Sequence, residues 1–377
     1  MEKVGIVGYY QVKPELDITM SPYECIYTAV RGALDAAGLK RKDITTVISC
    51  TNDYYDGKTI SNCFKVEAGG AYMKDESKVE MDGAHAALYG LMRILSGNHK
   101  LAIIYGSSMP SCYPYEPVRI LELDPTFDRT VSIINSYTAG GMQMREYMKM
   151  YEVTEDDIAK VAVQNFKNSA KNPLALPEAK NSTITVQDVL NSDILSTPLR
   201  EKMYPIPCDG ATALILAPER QSLKITDNPV WITGVGQCQE TYYLGDRNLS
   251  VSVSMEKAAD TAYKLAGINN PKNEIDVAEL FGHTACEELI LAEAAKLSEK
   301  GKGVSLLENG PALNPSGGAF SAFTPCACGL TRIVEAAKQL RGEAGDHQIS
   351  GAKKAIASGQ VGFCAQNNII YVLEGGG

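Results

Sequence analysis

The chain repeats itself, and that constrains its fold more than any other feature. Val4-Gly5-Ile6-Val7-Gly8 returns in kind as Val230-Trp231-Ile232-Thr233-Gly234. Each is followed by an amphipathic helical stretch that stops on Ala-Gly-aliphatic, first at Ala37-Gly38-Leu39 and then at Ala266-Gly267-Ile268. Gly38 and Gly267 suit the left-handed residue that ends a helix. An acidic-Ile strand start comes next in both, at Asp43-Ile44 and Glu274-Ile275. A third echo pairs Gly90-Leu91-Met92-Arg93-Ile94 with Gly329-Leu330-Thr331-Arg332-Ile333. The matches keep their order while their separation drifts from 226 to 239 residues, which predicts two similar halves. Strands alternating with helices in each half predict an α/β protein with central sheets.

The 377 residues divide most simply into a first half at 1–225 and a second at 226–377. Residues of about 110–205 have no counterpart in the second half. They are read as an inserted loop domain that covers a site, since long insertions in compact folds often form lids. One helix there is marked by Thr154 as a cap ahead of Glu155-Asp156-Asp157. No run approaches the roughly 20 apolar residues of a membrane span. The net charge of −9 opposes nucleic acid as the main partner, while local basic spots leave room for a small phosphorylated ligand. Ten scattered cysteines suit a reducing, cytoplasmic setting. Cys326-Ala327-Cys328 lacks the second ligand pair of a closed zinc site, so no metal is expected.

Four further segments carry a family resemblance: Gln164-Asn165-Phe166 through Asn172-Pro173, Pro205-Ile206-Pro207-Cys208-Asp209-Gly210, Asn314-Pro315-Ser316-Gly317-Gly318, and Gln339-Leu340-Arg341-Gly342 through Gly345. With these, the whole chain resembles the thiolase superfamily, most closely the sterol-carrier-protein-type thiolases and their bacterial and archaeal relatives. The resemblance implies the thiolase fold, with two α/β halves in five layers (αβαβα), a self-dimer, and a slot for coenzyme A thioesters as substrate with no covalently bound cofactor. It also implies a small partner subunit with a zinc ribbon and an OB-fold. Within Asn314–Gly318, the glycines let backbone approach a ligand, and Ser316, Gly317 and Gly318 are candidates to offer N–H groups to a thioester oxygen. A plain turn is the alternative.

The chemistry departs from the resemblance. Thiolases place a cysteine at a strand-to-helix elbow, where the helix N-terminus favours the thiolate. Here the elbow reads Val79-Glu80-Met81-Asp82-Gly83-Ala84-His85, which puts Met81 or Glu80 at that position, and no cysteine occurs between Cys63 and Cys112. The family histidine of the second loop falls on Phe281, two places before His283, and Thr324 stands where the third loop carries a base. An acyl-cysteine mechanism is therefore not expected. A thiolase-like aldolase or retro-aldolase needs only an oxyanion site and a general acid or base. Its candidates are His283, Asp82, His85 and Cys364, with Cys326 as a relocated nucleophile.

The third echo aligns His85 with Thr324, predicting that both face one cavity. Each candidate also has a structural reading: Asp82 as a helix cap, His85 as a packed side chain, the cysteines as inert apolar groups. His99 and His347 read as exposed. Asn52–Asp56 and Cys112–Pro117 are rich in tyrosine and fit either a partner surface or a pocket for an aromatic acyl group. The function reading is carbon–carbon bond formation or cleavage on a β-keto- or β-hydroxyacyl-CoA, in a hetero-oligomer. The alternative is a catalytically silent thiolase-fold subunit.

Overall fold

The computed structural model describes residues 3–376. The first half runs β1 (Val4–Gln11), α1 (Pro22–Ala36), β2 (Thr46–Cys50), α2 (Ser61–Lys65), β3 (Asp75–Val79), α3 (Gly83–Leu95) and β4 (Ala102–Ser108). The segment that follows contributes α4 (Tyr115–Val118), α5 (Ser136–Tyr151), α6 (Glu155–Ser169), α7 (Val186–Leu190) and a hairpin of β5 (Ile194–Ser196) and β6 (Leu199–Arg200). The sheet resumes with β7 (Gly210–Pro218), then α8 (Glu219–Ile225). The second half runs β8 (Val230–Gln239), α9 (Val253–Ala266), α10 (Pro271–Glu274), β9 (Val277–Glu279), α11 (Ala285–Ala294), β10 (Ala312–Leu313), α12 (Gly318–Ser321), α13 (Cys328–Arg341), β11 (Lys354–Val361) and β12 (Asn367–Glu374).

Ten strands lie in the order β10-β9-β11-β12-β8-β1-β7-β4-β2-β3. Outward from the centre, one half reads β1-β7-β4-β2-β3 and the other β8-β12-β11-β9-β10, which is the same order strand for strand. The halves join where β1 and β8 pair antiparallel, Val4 facing Ile232 and Ile6 facing Val230. The repeated pentapeptides are thus each other's partners across a local two-fold. Gly38 and Gly267 both adopt positive φ, 63° and 71°, ending α1 and α9 as their sequence positions predict.

Three apolar clusters make the layers. One packs α1 on the first half-sheet, another packs α9 and α11 on the second, and the largest holds α3 and α13 between the inner faces. The result is the layered α/β alternation that the resemblance implies. Capping fixes where the helices start: Ser21 with Glu24 on α1, Thr154 with Asp157 on α6, and Asp82 on α3. Helix α11 is buried all round, against α9 on one side and α5 and α6 on the other. The inserted helices take up two of its carboxylates, Asn165 of α6 donating to Glu288 at 2.7 Å and Tyr147 of α5 to Glu293 at 2.6 Å.

The third echo is out of register. Gly90 stands two turns inside α3, whereas Gly329 is the second residue of α13. Their surroundings differ as well: Arg93 reaches half-exposed Asp75 at 2.7 Å, while Arg332 is fully buried on Glu279 at 2.6 Å. A Gly-Leu-x-Arg-Ile pattern meets the needs of a packed helix at more than one turn, so composition produced the match rather than position.

Candidate active site

The elbow after β3 ends on Asp82, whose carboxylate caps two helices at once. Its Oδ1 accepts from Ala84 N in α3 and its Oδ2 from Gly329 N in α13, both at 2.9 Å. A Cβ on Gly329 or Gly359 would overlap this carboxylate, so each glycine is needed for its close approach. Burial, opposed by the backbone bonds, raises its pKa to about 6. Beside it lies a cavity of about 30 Å³ whose wall includes Asp82, Tyr115, Arg119, His283, Cys326 and Gln360. That volume admits one or two waters, each needing about 10–15 Å³. A second cavity of about 490 Å³ adjoins it, sharing Tyr55, Met81, Val361 and Gly362 in its wall.

His283 precedes α11, with Thr284 as the cap that accepts from Glu287 N at 2.9 Å. Glu287 turns back so that its Oε1 accepts from His283 N at 2.8 Å and stands 3.5 Å from Nδ1. Gln360 of β11 donates to the same carboxylate and to the Phe281 carbonyl. Burial pushes the Glu287 pKa up, but the bonds from His283 and Gln360 outweigh it and hold the group below its ordinary value. On the other ring edge, Nε2 lies 3.3 Å from the Tyr115 hydroxyl and 3.4 Å from Arg119 Nη1. Arg119 also donates to Tyr115 at 2.9 Å, Ser136 at 3.1 Å and Glu122 at 3.0 Å, and lies 4.2 Å over the Phe363 ring. Tyr55 donates to Glu122. Burial raises the Tyr55 and Tyr115 phenols well above their ordinary range, so both remain proton donors.

The structure brings His283, Asp82 and Cys326 to this one cavity. Cys326 sits at φ 62° in the turn before α13. Cys364 and His85 line neither cavity. The Cys364 thiol bonds the Ala139 carbonyl at 3.5 Å among apolar neighbours, and burial pushes its pKa up to about 12. His85 is the third residue of α3, with Nε2 3.2 Å from Asn367 Oδ1, and burial pushes its pKa down to about 4. Thr324 lies instead against Cys208 at 3.5 Å. The convergence of His85 and Thr324 expected from the third echo fails with that echo's register.

The N–H groups of Ser316, Gly317 and Gly318 are not free for a thioester. Ser316 N donates to Glu279 at 3.0 Å, Gly317 N to Asn314 O at 2.8 Å and Gly318 N to Ser316 Oγ at 3.2 Å. This loop is internally satisfied because Glu279 and Arg332 are buried on Ser316. His347 is buried on Glu335 at 3.0 Å, and His99 meets Asp75 at 3.1 Å, so neither is exposed in the way its sequence setting suggests. All ten cysteines are unpaired. Among the described residues, no group of three His, Cys, Asp or Glu side chains is placed to hold a metal ion, and no helix is long and apolar enough to cross a membrane.

Sequence reading passed over Arg119, Glu122, Glu287 and Gln360. A signal existed for two of them: Tyr115 with Arg119 and His283 with Glu287 are both i,i+4 pairs.

Comparison with known proteins agrees with this architecture. The family described as "Thiolase C-terminal domain-like" matches residues 236–374. The chain is 28% identical to the acetyl-CoA acetyltransferase of Methanothermobacter thermautotrophicus, with 94% of each chain covered. It is 33% identical to sterol carrier protein 2 of Bos taurus over 56% of this chain, spanning 41% of that protein's length. The solved Ltp2-ChsH2(DUF35) aldolase superposes with a TM-score of 0.83 at 20% identity, covering 99% of this chain and 97% of that one. The chain thus matches the thiolase C-terminal domain over residues 236–374 and is similar to thiolase-superfamily proteins of the sterol-carrier-protein-2 type, in keeping with its duplicated sheet order and paired central helices.

Proposed function

We propose that this chain makes or breaks a carbon–carbon bond next to a coenzyme A thioester by general acid–base chemistry, with His283 as the base. One observation carries the reading: the central cavity presents a histidine oriented by a carboxylate, while Glu80, Met81 and Asp82 occupy the elbow where a nucleophilic thiol is needed. In the cleavage direction, His283 Nε2 takes the proton of a β-hydroxyl group. As the Cα–Cβ bond breaks, the hydroxyl-bearing carbon leaves as a ketone or aldehyde, and the bond's electron pair moves into the thioester as an enolate. Tyr115 donates to the enolate oxygen, and protonation at Cα releases the shortened acyl-CoA. Asp82 and Cys326 face the same space, Asp82 as a proton-carrying group and Cys326 as a thiol that this route does not use. The structurally similar Ltp2-ChsH2(DUF35) protein is an aldolase, so the shared fold is compatible with this reaction.

The assembly we propose includes a second copy and a small subunit with a zinc ribbon and an OB-fold. Strand β3, outermost in the sheet and only partly covered, is the edge for the copy. The wall of the 490 Å³ cavity contains Glu80, Glu122 and Asp128 and, among the described residues, no Lys or Arg. Such a mouth repels the phosphates of coenzyme A, and a basic partner surface supplies what is missing. Ten free thiols support a cytoplasmic setting.

The test incubates the purified chain, with any small subunit that co-purifies, with β-hydroxyacyl- and β-ketoacyl-CoA esters and follows released acyl-CoA. Turnover that disappears in His283→Ala supports the reading. No turnover by the chain alone, together with no effect of that substitution in the complex, leaves the silent-subunit alternative.

A further inference from the structure

Hydrogen-bond accounting around His283 assigns a proton. Arg119 Nη1 and the Tyr115 hydroxyl both stand at Nε2, at 3.4 and 3.3 Å. A guanidinium donates and never accepts. The Tyr115 oxygen accepts from that same Nη1 at 2.9 Å, and the phenol's own proton bonds Nε2 only when that nitrogen is bare. Nη1 spends its two hydrogens on Tyr115 and Ser136, so it faces Nε2 as a positive charge at 3.4 Å, which disfavours a proton there. The ring proton belongs on Nδ1, facing Glu287 Oε1 at 3.5 Å. That oxygen also accepts from His283 N and Gln360 Nε2, so its contact with Nδ1–H is a shared and long one. The charge beside Nε2 and the carboxylate beside Nδ1 favour the same tautomer.

We propose that Arg119 is a positioning residue that locks His283 in its Nδ1-protonated tautomer and turns the Tyr115 phenol proton toward Nε2. Its own placement is over-determined: Nε and Nη2 meet Glu122 at 3.3 and 3.0 Å, Nη1 also meets Ser136, and Phe363 lies beneath the plane. It is 1% exposed and lies on the turn following α4, so the inserted segment sets the protonation pattern of a histidine from the second half. The other charged or titratable groups around the ring are Glu287 on α11, with Tyr55, Asp82 and Cys326 in the cavity wall. The catalytic meaning rests on the proposed function: a substrate hydroxyl entering the cavity replaces the phenol as donor and finds Nε2 unprotonated.

The test reads the tautomer directly. The full chain is labelled with ¹⁵N-histidine, and the His283 signals among its four histidines are assigned by their loss in His283→Asn. Spectra are taken above the ordinary imidazole pKa of about 6.5. The wild type is expected to show protonated Nδ1 and bare Nε2. Arg119→Lys keeps that pattern, because a cationic donor remains. Arg119→Met frees the phenol to accept from Nε2, and the two nitrogens move toward averaged shifts. With an active substrate in hand, Arg119→Met lowers kcat on the order of 100-fold with KM little changed, and Arg119→Lys recovers at least about tenfold.

Protonated Nε2 in the wild type overturns the proposal, as does an Arg119→Met protein that folds with tautomer and kcat unchanged. Should Arg119→Met fail to fold, Tyr115→Phe decides: retained Nδ1–H supports Arg119 as the lock, and a switch to Nε2–H assigns the lock to the phenol instead. A chain that turns over no acyl-CoA at all refutes the functional reading while the spectra still judge the tautomer.

Discussion

Asp82 and His85 lie three residues apart, and burial moves their pKa values in opposite senses. The Asp82 carboxyl rises from its usual 3.8 to about 6, so the folded chain binds this proton more tightly than the unfolded one. Stability from this group is full below pH 3.8 and is lost as pH rises through about 6. At about 1.4 kcal/mol per pKa unit, the loss amounts to about 3 kcal/mol. The His85 imidazole falls from 6.5 to about 4, so the unfolded chain binds that proton first. Its stability is full above pH 6.5 and is lost as pH falls through about 4, again by about 3 kcal/mol. Over the shared window the two slopes oppose each other, and the wild type conceals both.

Asp82→Asn removes one of them. Its amide can accept only one of the N–H groups of Ala84 and Gly329, a pH-independent loss of about 1–3 kcal/mol. The pH-dependent part is the diagnostic. Urea unfolding of both proteins, in steps from about pH 4 to about pH 7, gives a wild-type advantage that shrinks by about 3 kcal/mol as pH rises. An advantage that stays constant, or grows with pH, refutes the assignment of a raised buried carboxyl at the helix junction.

Two other perturbations test the scaffold and the chemistry. Arg332→Met strands buried Glu279 and is expected to lose about 3–5 kcal/mol in urea unfolding, most of it recovered when Glu279→Leu is added. Iodoacetamide with peptide mapping should label exposed Cys63 and Cys112 first, with Cys326 and Cys364 slow and indifferent to acyl-CoA. Fast, acyl-CoA-protected labelling of Cys326 contradicts the absence of thiol chemistry.

The fold is legible in the sequence where a local pattern has one structural use. Gly38 and Gly267 terminate helices because little else tolerates positive φ, and Val4–Gly8 reads as a strand because both its faces are buried. The Gly-Leu-x-Arg-Ile echo misleads because a packed helix uses small, apolar and long polar residues at any turn. The site is legible in part. His283 and the tyrosine segments stand out by composition, and Tyr55 and Tyr115 both reach the cavity. Glu122 and Gln360 give no such warning, since their roles depend on the inserted segment and β11 meeting around α11, contacts that sequence spacing does not encode. Ser316, Gly317 and Gly318 look available in a glycine turn, but Ser316 N is taken by buried Glu279 of the same half, and Gly317 and Gly318 bond within the turn itself.

The central claim is that carbon–carbon chemistry proceeds here without an acyl group on sulfur. Its most direct measurement is the intact mass of the chain, acid-quenched during turnover of a β-hydroxyacyl-CoA. The account predicts an unmodified mass at every time point while acyl-CoA product accumulates. An adduct equal to the acyl group, mapped to Cys326 or any other cysteine and disappearing as substrate is exhausted, contradicts it.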